Sequence, residues 1–200
     1  MILDDLKFVT RELDKAGIQH ILVGGASLER QYAVGTEDLD FLVALKDYRG
    51  ALAILKKHPL ARNVESVGTM GGCEFRVEDH WVDVELLHPL SFCGKLSPDE
   101  FIDYVRRHRS SRTEAGPVAA PEIAWYMRLA IPDWPIYVQK ILRDVGAGVP
   151  PDLLTKVEEV AQHLGVEETL APRIKEAREA IALLRTRPHP GSLVPPDKGP

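Results

Sequence analysis

Asp38 and Asp40 stand two residues apart in Asp38-Leu-Asp-Phe-Leu-Val-Ala44, an apolar run that reads as a strand. Both carboxylates therefore leave the same face, with Cα atoms roughly 7 Å apart. Asp83 and Glu85 repeat the alternation in Trp81-Val-Asp-Val-Glu-Leu-Leu87. If the two strands are neighbours, three or four carboxylates converge. At about 5 Å and an effective dielectric of about 20 each pair repels by about 3 kcal/mol, and several pairs approach the whole stability of a domain, about 5 to 15 kcal/mol. Such a cluster needs a cation, unless the strands lie apart and the acids are solvated. Hard divalent ions suit clustered carboxylates, and magnesium is commonly held by one or two carboxylates plus substrate phosphates. Two such ions about 3.5 to 4 Å apart clamp an in-line displacement at phosphorus.

A phosphate cradle would complete that chemistry. Ile18-Gln-His-Ile-Leu-Val23 is a short apolar run halted by Gly24-Gly25, with helix-forming residues from Ala26-Ser27 onward. The free amides and dipole of a helix N-terminus favour an anion by about 0.3 to 1 kcal/mol. Arg30, one turn later, can reach phosphate oxygens. Taken singly, paired acids commonly mark a solvated strand edge and a Gly-Gly pair is commonly only a turn. The order and spacing carry the weight.

Val23-Gly24-Gly25, twelve intervening residues, Asp38-Leu39-Asp40, and then Val82-Asp83-Val84 on a later strand resemble the signature of the DNA polymerase beta-type nucleotidyltransferase superfamily. Ile21-Leu-Val-Gly-Gly-Ala26 and Gly35-Thr-Glu-Asp-Leu-Asp-Phe41 are similar to its small bacterial and archaeal members, both minimal nucleotidyltransferases and abortive-infection toxin-like ones. Val118-Ala-Ala-Pro-Glu-Ile123 is similar to the segment that opens the helical part of the toxin-like members, with Met127-Arg128 where a Lys usually follows. Lys140-Ile-Leu-Arg-Asp144 keeps a Lys and one Asp of a later motif and loses the adjacent Asp. The likeness covers residues 18 to 90 well and 117 to 145 loosely.

The resemblance implies that Asp38 and Asp40 bind two magnesium ions that also grip an NTP. It implies that Asp83 completes the site nearest the attacking oxygen and helps deprotonate it, with Glu85 in that role if the strand register differs by two. Gly24, Gly25 and Ser27 would contact the β- and γ-phosphates, with Arg30 and Lys140 as further nucleotide-binding residues. The expected reaction moves a nucleoside monophosphate from an NTP such as ATP to an acceptor hydroxyl, releasing pyrophosphate. The acceptor could be tRNA or another RNA, a protein or a small molecule. Two other readings stay open: a non-catalytic nucleotide-binding module of the same fold, and the toxin half of a toxin and antitoxin pair, which would add an antitoxin partner.

The elements that must position these residues follow from periodicity. Leu3, Leu6, Val9 and Leu13 predict an amphipathic helix over 2 to 16 that stops at Gly17. Strands are predicted over 18–23, 38–44, 62–67, 73–78 and 81–87, the last three joined by hairpin-length connections, with helices over 26–34 and 47–57. Ser97-Pro-Asp-Glu starts a helix to about Arg107, and from Pro121 onward almost everything reads as helix, broken at Pro132, Gly146 to Pro151 and Gly165. The expected class is α+β, a nucleotidyltransferase fold: a small mixed sheet flanked by helices over residues 1–116, then a helical domain over 117–186. Residues 187–200 hold five of the fifteen prolines and read as a disordered tail.

The 200-residue chain has a net charge of −5, with 17 acids against 11 bases in its first hundred residues and 13 against 14 in its second. Any nucleic-acid contact must therefore be local. Arg106-Arg-His-Arg109 with Arg112 is the dense basic run, either an acceptor or triphosphate contact or a solvated helix end, where cations sit well. Trp125, Tyr126, Trp134 and Tyr137 fit core packing or a lid over a base. Cys73 and Cys93 read as buried thiols, and the seven histidines show no zinc-like spacing. No apolar run suits a membrane span and the N-terminus lacks a signal-peptide pattern, so the expected setting is cytoplasmic.

Overall fold

The computed structural model describes residues 7–36, 38–67, 70–77, 80–113, 116–131 and 134–186. The expected tail over 187–200, the first residues of the N-terminal helix and the turn residue Asp79 lie outside them. In chain order the elements are α1 (Lys7–Lys15), β1 (His20–Val23), α2 (Gly25–Tyr32), β2 (Asp38–Val43), α3 (Tyr48–Lys57), β3 (Ala61–Val67), β4 (Met70–Val77), β5 (His80–Leu87), a 3-10 turn (Pro89–Ser91), α4 (Pro98–Arg107), β6 (Arg109–Thr113), β7 (Gly116–Ala119), α5 (Pro121–Ala130), α6 (Trp134–Gly146), α7 (Leu153–His163) and α8 (Glu167–Thr186).

The strands form one mixed sheet in the order β3-β4-β5-β2-β1-β7-β6. β2 runs antiparallel to β1 but parallel to β5, and β7 runs parallel to β1. The fold is thus α+β with a mixed sheet flanked by helices, as expected, followed by four helices. Side-chain alternation sorts the strands onto two cores. Leu22, Leu39, Phe41, Val43, Phe75, Val82, Val84 and Leu86 point to one face and pack with Val9 and Leu13 of α1 and Ala51 and Leu55 of α3. Ile21, Val23, Leu42 and Leu87 point to the other face. They join a second core with Leu28 of α2, Phe101 and Val105 of α4, Trp125 of α5, Val157 of α7 and Ile174 of α8.

Two strands escaped sequence analysis. Half of the basic run is not a helix end but β6, and Pro117-Val-Ala119 lies in β7, whose Val118 pairs with Leu22 in the middle of β1. Arg109 to Thr113 has a polar face and little apolar alternation, so an edge strand leaves no period-2 signal. The boundary expected between 116 and 117 falls inside β7. Ser97 caps α4 as its sequence suggests: its hydroxyl accepts from the Glu100 amide at 3.3 Å, and the Glu100 carboxylate accepts from the Ser97 amide at 2.8 Å. Cys73 and Cys93 are buried and unpaired to each other. Among the described residues no helix is long and apolar enough to cross a membrane.

Candidate active site

The strand pairing settles which carboxylates are neighbours. Across the parallel β2–β5 ladder Asp38 faces Asp83 and Asp40 faces Glu85, so all four leave the same face of the sheet with strands about 4.8 Å apart. The row continues onto β4, where Glu74 faces Asp83 and Gly72 faces Glu85. On the other side Asp40 faces Val23, the last residue of β1. The acids and the Gly24-Gly25 turn therefore meet because β1 ends where β2 begins.

Gly24 is required there for two reasons. Its φ is +60°, a left-handed conformation that side chains resist. A Cβ would also lie 1.8 Å from Oδ2 of Asp40, so the carboxylate rests directly against the glycine backbone. At Gly25 a Cβ would lie 2.2 Å from Oγ1 of Thr36. Thr36 in turn has its hydroxyl 2.9 Å from the Asp38 carbonyl oxygen and 3.1 Å from Asp38 Oδ1, as a donor to this residue. The glycine pair thus lets two strand ends approach, and Thr36 orients the first acid.

These groups line a cavity of about 490 Å³ between the sheet, α2, α5 and α6, a volume in the range of ordinary small-molecule sites. Gly24, Gly25, Asp38, Asp40, Glu85 and Lys140 are all on its walls. Asp83, Ser27 and Arg30 are not. Asp83 is exposed on the open part of β5, and Arg30 is exposed on α2. Ser27 is fully buried in the first turn of α2, its Oγ without a hydrogen-bond partner. Of the aromatic set, Trp125 and Tyr126 are core residues, Tyr137 lines the cavity, and the Trp134 side chain lies outside the described residues. Arg106 and Arg109 line a separate surface groove with Asp14 and His20.

The cavity also holds residues to which the sequence assigned no role, although they lie in the two segments of looser resemblance. Arg128 on α5 and Arg143 and Asp144 on α6 stand on its walls. Asp144 is fully buried, and its Oδ2 accepts from Arg128 Nη1 and, at 3.0 Å, from the indole N–H of Trp125. Among the described residues that is the one hydrogen bond the Arg128 guanidinium makes. Lys140 has its ammonium 5.2 Å from the centre of the Tyr137 ring. Acids on the sheet therefore face cations on α5 and α6 across the cavity.

Electrostatics follow from this placement. Burial, then the neighbouring Asp38 and Glu85, push the Asp40 carboxyl well above the ordinary carboxylate range, while Arg128 and Lys140 pull it down. Glu85 is raised by burial and by Asp38, and is partly relieved by a hydrogen bond with Asp40. Asp83 is raised by desolvation, then by Glu74 and Asp38. Two adjacent carboxyls with raised pKa share a proton when nothing else neutralises them. Among the described residues no group of three or more His, Cys, Asp or Glu forms a complete metal cage. Magnesium bridged to substrate phosphates needs only one or two carboxylates, and Asp38 and Asp40, open to the cavity beside a side-chain-free turn, fit that mode of binding.

No family model matches the chain, and no curated protein sequence does. Among solved structures it is similar to an antigenic nucleotidyltransferase-like protein from Paracoccidioides brasiliensis, at 16% identity over 86% of this chain and 93% of that one, with a TM-score of 0.45. It is also similar to a protein from H. pylori described as a nucleotidyltransferase, at 12% identity over 90% and 94%, TM-score 0.44. A third likeness is to the antibiotic-resistance factor ANT(2″)-Ia, at 13% identity over 92% of each chain, TM-score 0.41.

Proposed function

We propose that this chain is a magnesium-dependent nucleotidyltransferase that moves a nucleoside monophosphate from an NTP to an acceptor hydroxyl. One observation carries the reading. Asp38, Asp40 and Glu85 on the sheet face Arg128, Lys140 and Arg143 across one cavity floored by Gly24-Gly25. A ligand that satisfies both walls is anionic and carries a cation of its own, which describes a magnesium nucleotide.

In this reading Asp38 and Asp40 would hold magnesium, and Glu85 is the third acid, since it lines the cavity and faces Asp40 in register whereas Asp83 stands outside. Bound magnesium would neutralise the phosphate charge and the charge that develops on the leaving group. The backbone of Gly24 and Gly25 lines the cavity at the start of α2, where phosphates would lie, and Lys140, Arg143 and the unused donors of Arg128 balance their charge. The acceptor hydroxyl gives its proton to a carboxylate, with Glu85 nearest the pair, as its oxygen bonds to the α-phosphorus. The bond from that phosphorus to the bridging oxygen breaks, and pyrophosphate leaves with the electron pair. Positioning and charge neutralisation supply the rate. The sheet contributes the acids, and α5 and α6 contribute the cations.

Pyrophosphate release in the presence of magnesium, each NTP and separate pools of RNA, protein and small hydroxylated acceptors tests the reading. Glu85→Gln should lower the rate at least a hundredfold, the scale of lost general-base catalysis, while Asp83→Asn should leave most of it. The reverse ranking would move the third acid to Asp83. Magnesium-dependent NTP binding with no release from any pool would favour the non-catalytic module.

A further inference from the structure

The acids sit at a border on the sheet. On their face, β1 and β7 are roofed by α2, α4 and α5, whose apolar residues share one core with Ile21, Val23 and Ala119. β3, β4 and β5 receive α3 from the opposite face, through Leu55 and Ala51 against Phe75, Val82 and Val84. The described residues leave their acid-bearing face open, and Arg62, Arg76, Trp81 and Asp83 on it are exposed. The covered half encloses the cavity assigned to the nucleotide, so the open half borders Glu85 from the other side.

In-line displacement fixes what that border means. The nucleophile approaches the α-phosphorus opposite the leaving pyrophosphate. If the triphosphate runs along Gly24-Gly25 toward the cations of α5 and α6, the acceptor must come in over β5 and β4. Gly72, which faces Glu85 in register, leaves a gap with no side chain on that route. Its lack of a Cβ is enforced, since one would lie 2.3 Å from the Val84 carbonyl oxygen.

Beyond the gap lies a built recognition element. The Arg62 guanidinium carbon sits over the Trp81 ring, 3.4 Å from its centre. Glu74 fixes it there, accepting from Nε at 3.0 Å and from Nη2 at 3.2 Å, and Asn63 donates to the same carboxylate. Arg62, Glu74, Asp83 and Asp38 stand in one register row across four strands. The outer face of a held guanidinium stacked on an indole is a platform for a nucleobase, because bases stack on both aromatic rings and guanidinium planes.

We infer that the open face of β3–β5 is the acceptor site, and that Arg62 and Trp81 stack the terminal base of a single-stranded RNA whose ribose hydroxyl reaches the acids over Gly72. This rests on the nucleotidyltransferase reading. The test uses the full-length protein, a labelled twelve-nucleotide single-stranded RNA followed by anisotropy, and magnesium NTP binding measured separately by calorimetry. Trp81→Ala and Arg62→Ala should each weaken RNA binding about tenfold, the scale of one lost base stack, with Trp81→Phe retaining most of it. Lys140→Ala should instead weaken NTP binding. Circular dichroism and urea melts on each variant separate lost stacking from lost folding. RNA that does not bind, or binds equally to folded Trp81→Ala and Arg62→Ala, overturns this inference alone as long as NTP still binds. Failure to bind NTP overturns the parent reading.

Discussion

At the scale of residues, burying like charges has a measurable cost. Asp40 is raised first by burial and then by Asp38 and Glu85. A carboxyl whose pKa is higher folded than unfolded stabilises the fold below its unfolded value and gives that up as pH rises through the folded value. The metal-free protein should therefore lose stability as pH climbs from about 4. Asp40→Asn should be more stable than wild type at pH 8, with the difference closing toward pH 4 in urea melts. Equal stability at pH 8 would show that Asp40 is not strained by its neighbours. Gly24→Ala should lose roughly 1 to 3 kcal/mol from its positive φ, and more from the contact with Asp40. Chemical denaturation checks the size, and magnesium-dependent NTP affinity should fall with it. Much of this was legible in the sequence, because alternation alone puts Asp38 with Asp40 and Asp83 with Glu85. Alternation could not choose between Asp83 and Glu85, which share a face; only Glu85 lines the cavity, which is why the proposed mechanism gives it the third-acid role. Thr36 gave no signal, since its role depends on the turn that brings it beneath Asp38.

Among elements, α5 and α6 are fastened by one buried ion pair. Arg128 and Asp144 are 16 residues apart in sequence, and no local pattern links them, which is why the pair was invisible while the helices themselves were plain. Truncating one partner of a buried pair strands the other charge, at a cost of about 3 to 5 kcal/mol. Arg128→Met should pay that in full in denaturant titrations. The double variant Arg128→Met with Asp144→Leu should regain most of the stability, yet should still bind NTP weakly, because the cavity has lost the Arg128 guanidinium. Recovered affinity in the double variant would make the pair purely structural. The β6–β7 hairpin was the other element hidden from the sequence. Its edge strand is polar and its inner strand, Gly116–Ala119, is only four residues long, too short to show a period, although it completes the covered half of the sheet.

The whole molecule is a sheet half covered by helices, with acids along the border and cations on the covering helices. Such a cavity sets opposite charges on facing walls that a magnesium nucleotide would join, so ligand and fold should stabilise one another. At a hundred times its Kd, magnesium NTP should add about 2.7 kcal/mol and raise Tm by about 5 to 10 °C. Neither magnesium alone nor NTP with a chelator should match this, and Asp40→Asn should abolish it in a thermal melt. The central claim is transfer itself, and it is tested most directly with α-labelled NTPs. Wild type and Asp40→Asn would be incubated with magnesium and each labelled NTP against single-stranded RNA, total protein and small hydroxylated compounds. Label should move from one NTP to one acceptor pool, with RNA foremost, only in the wild type. Label transfer that persists undiminished in Asp40→Asn, or no transfer to any pool by a folded wild type that binds magnesium NTP, would contradict it.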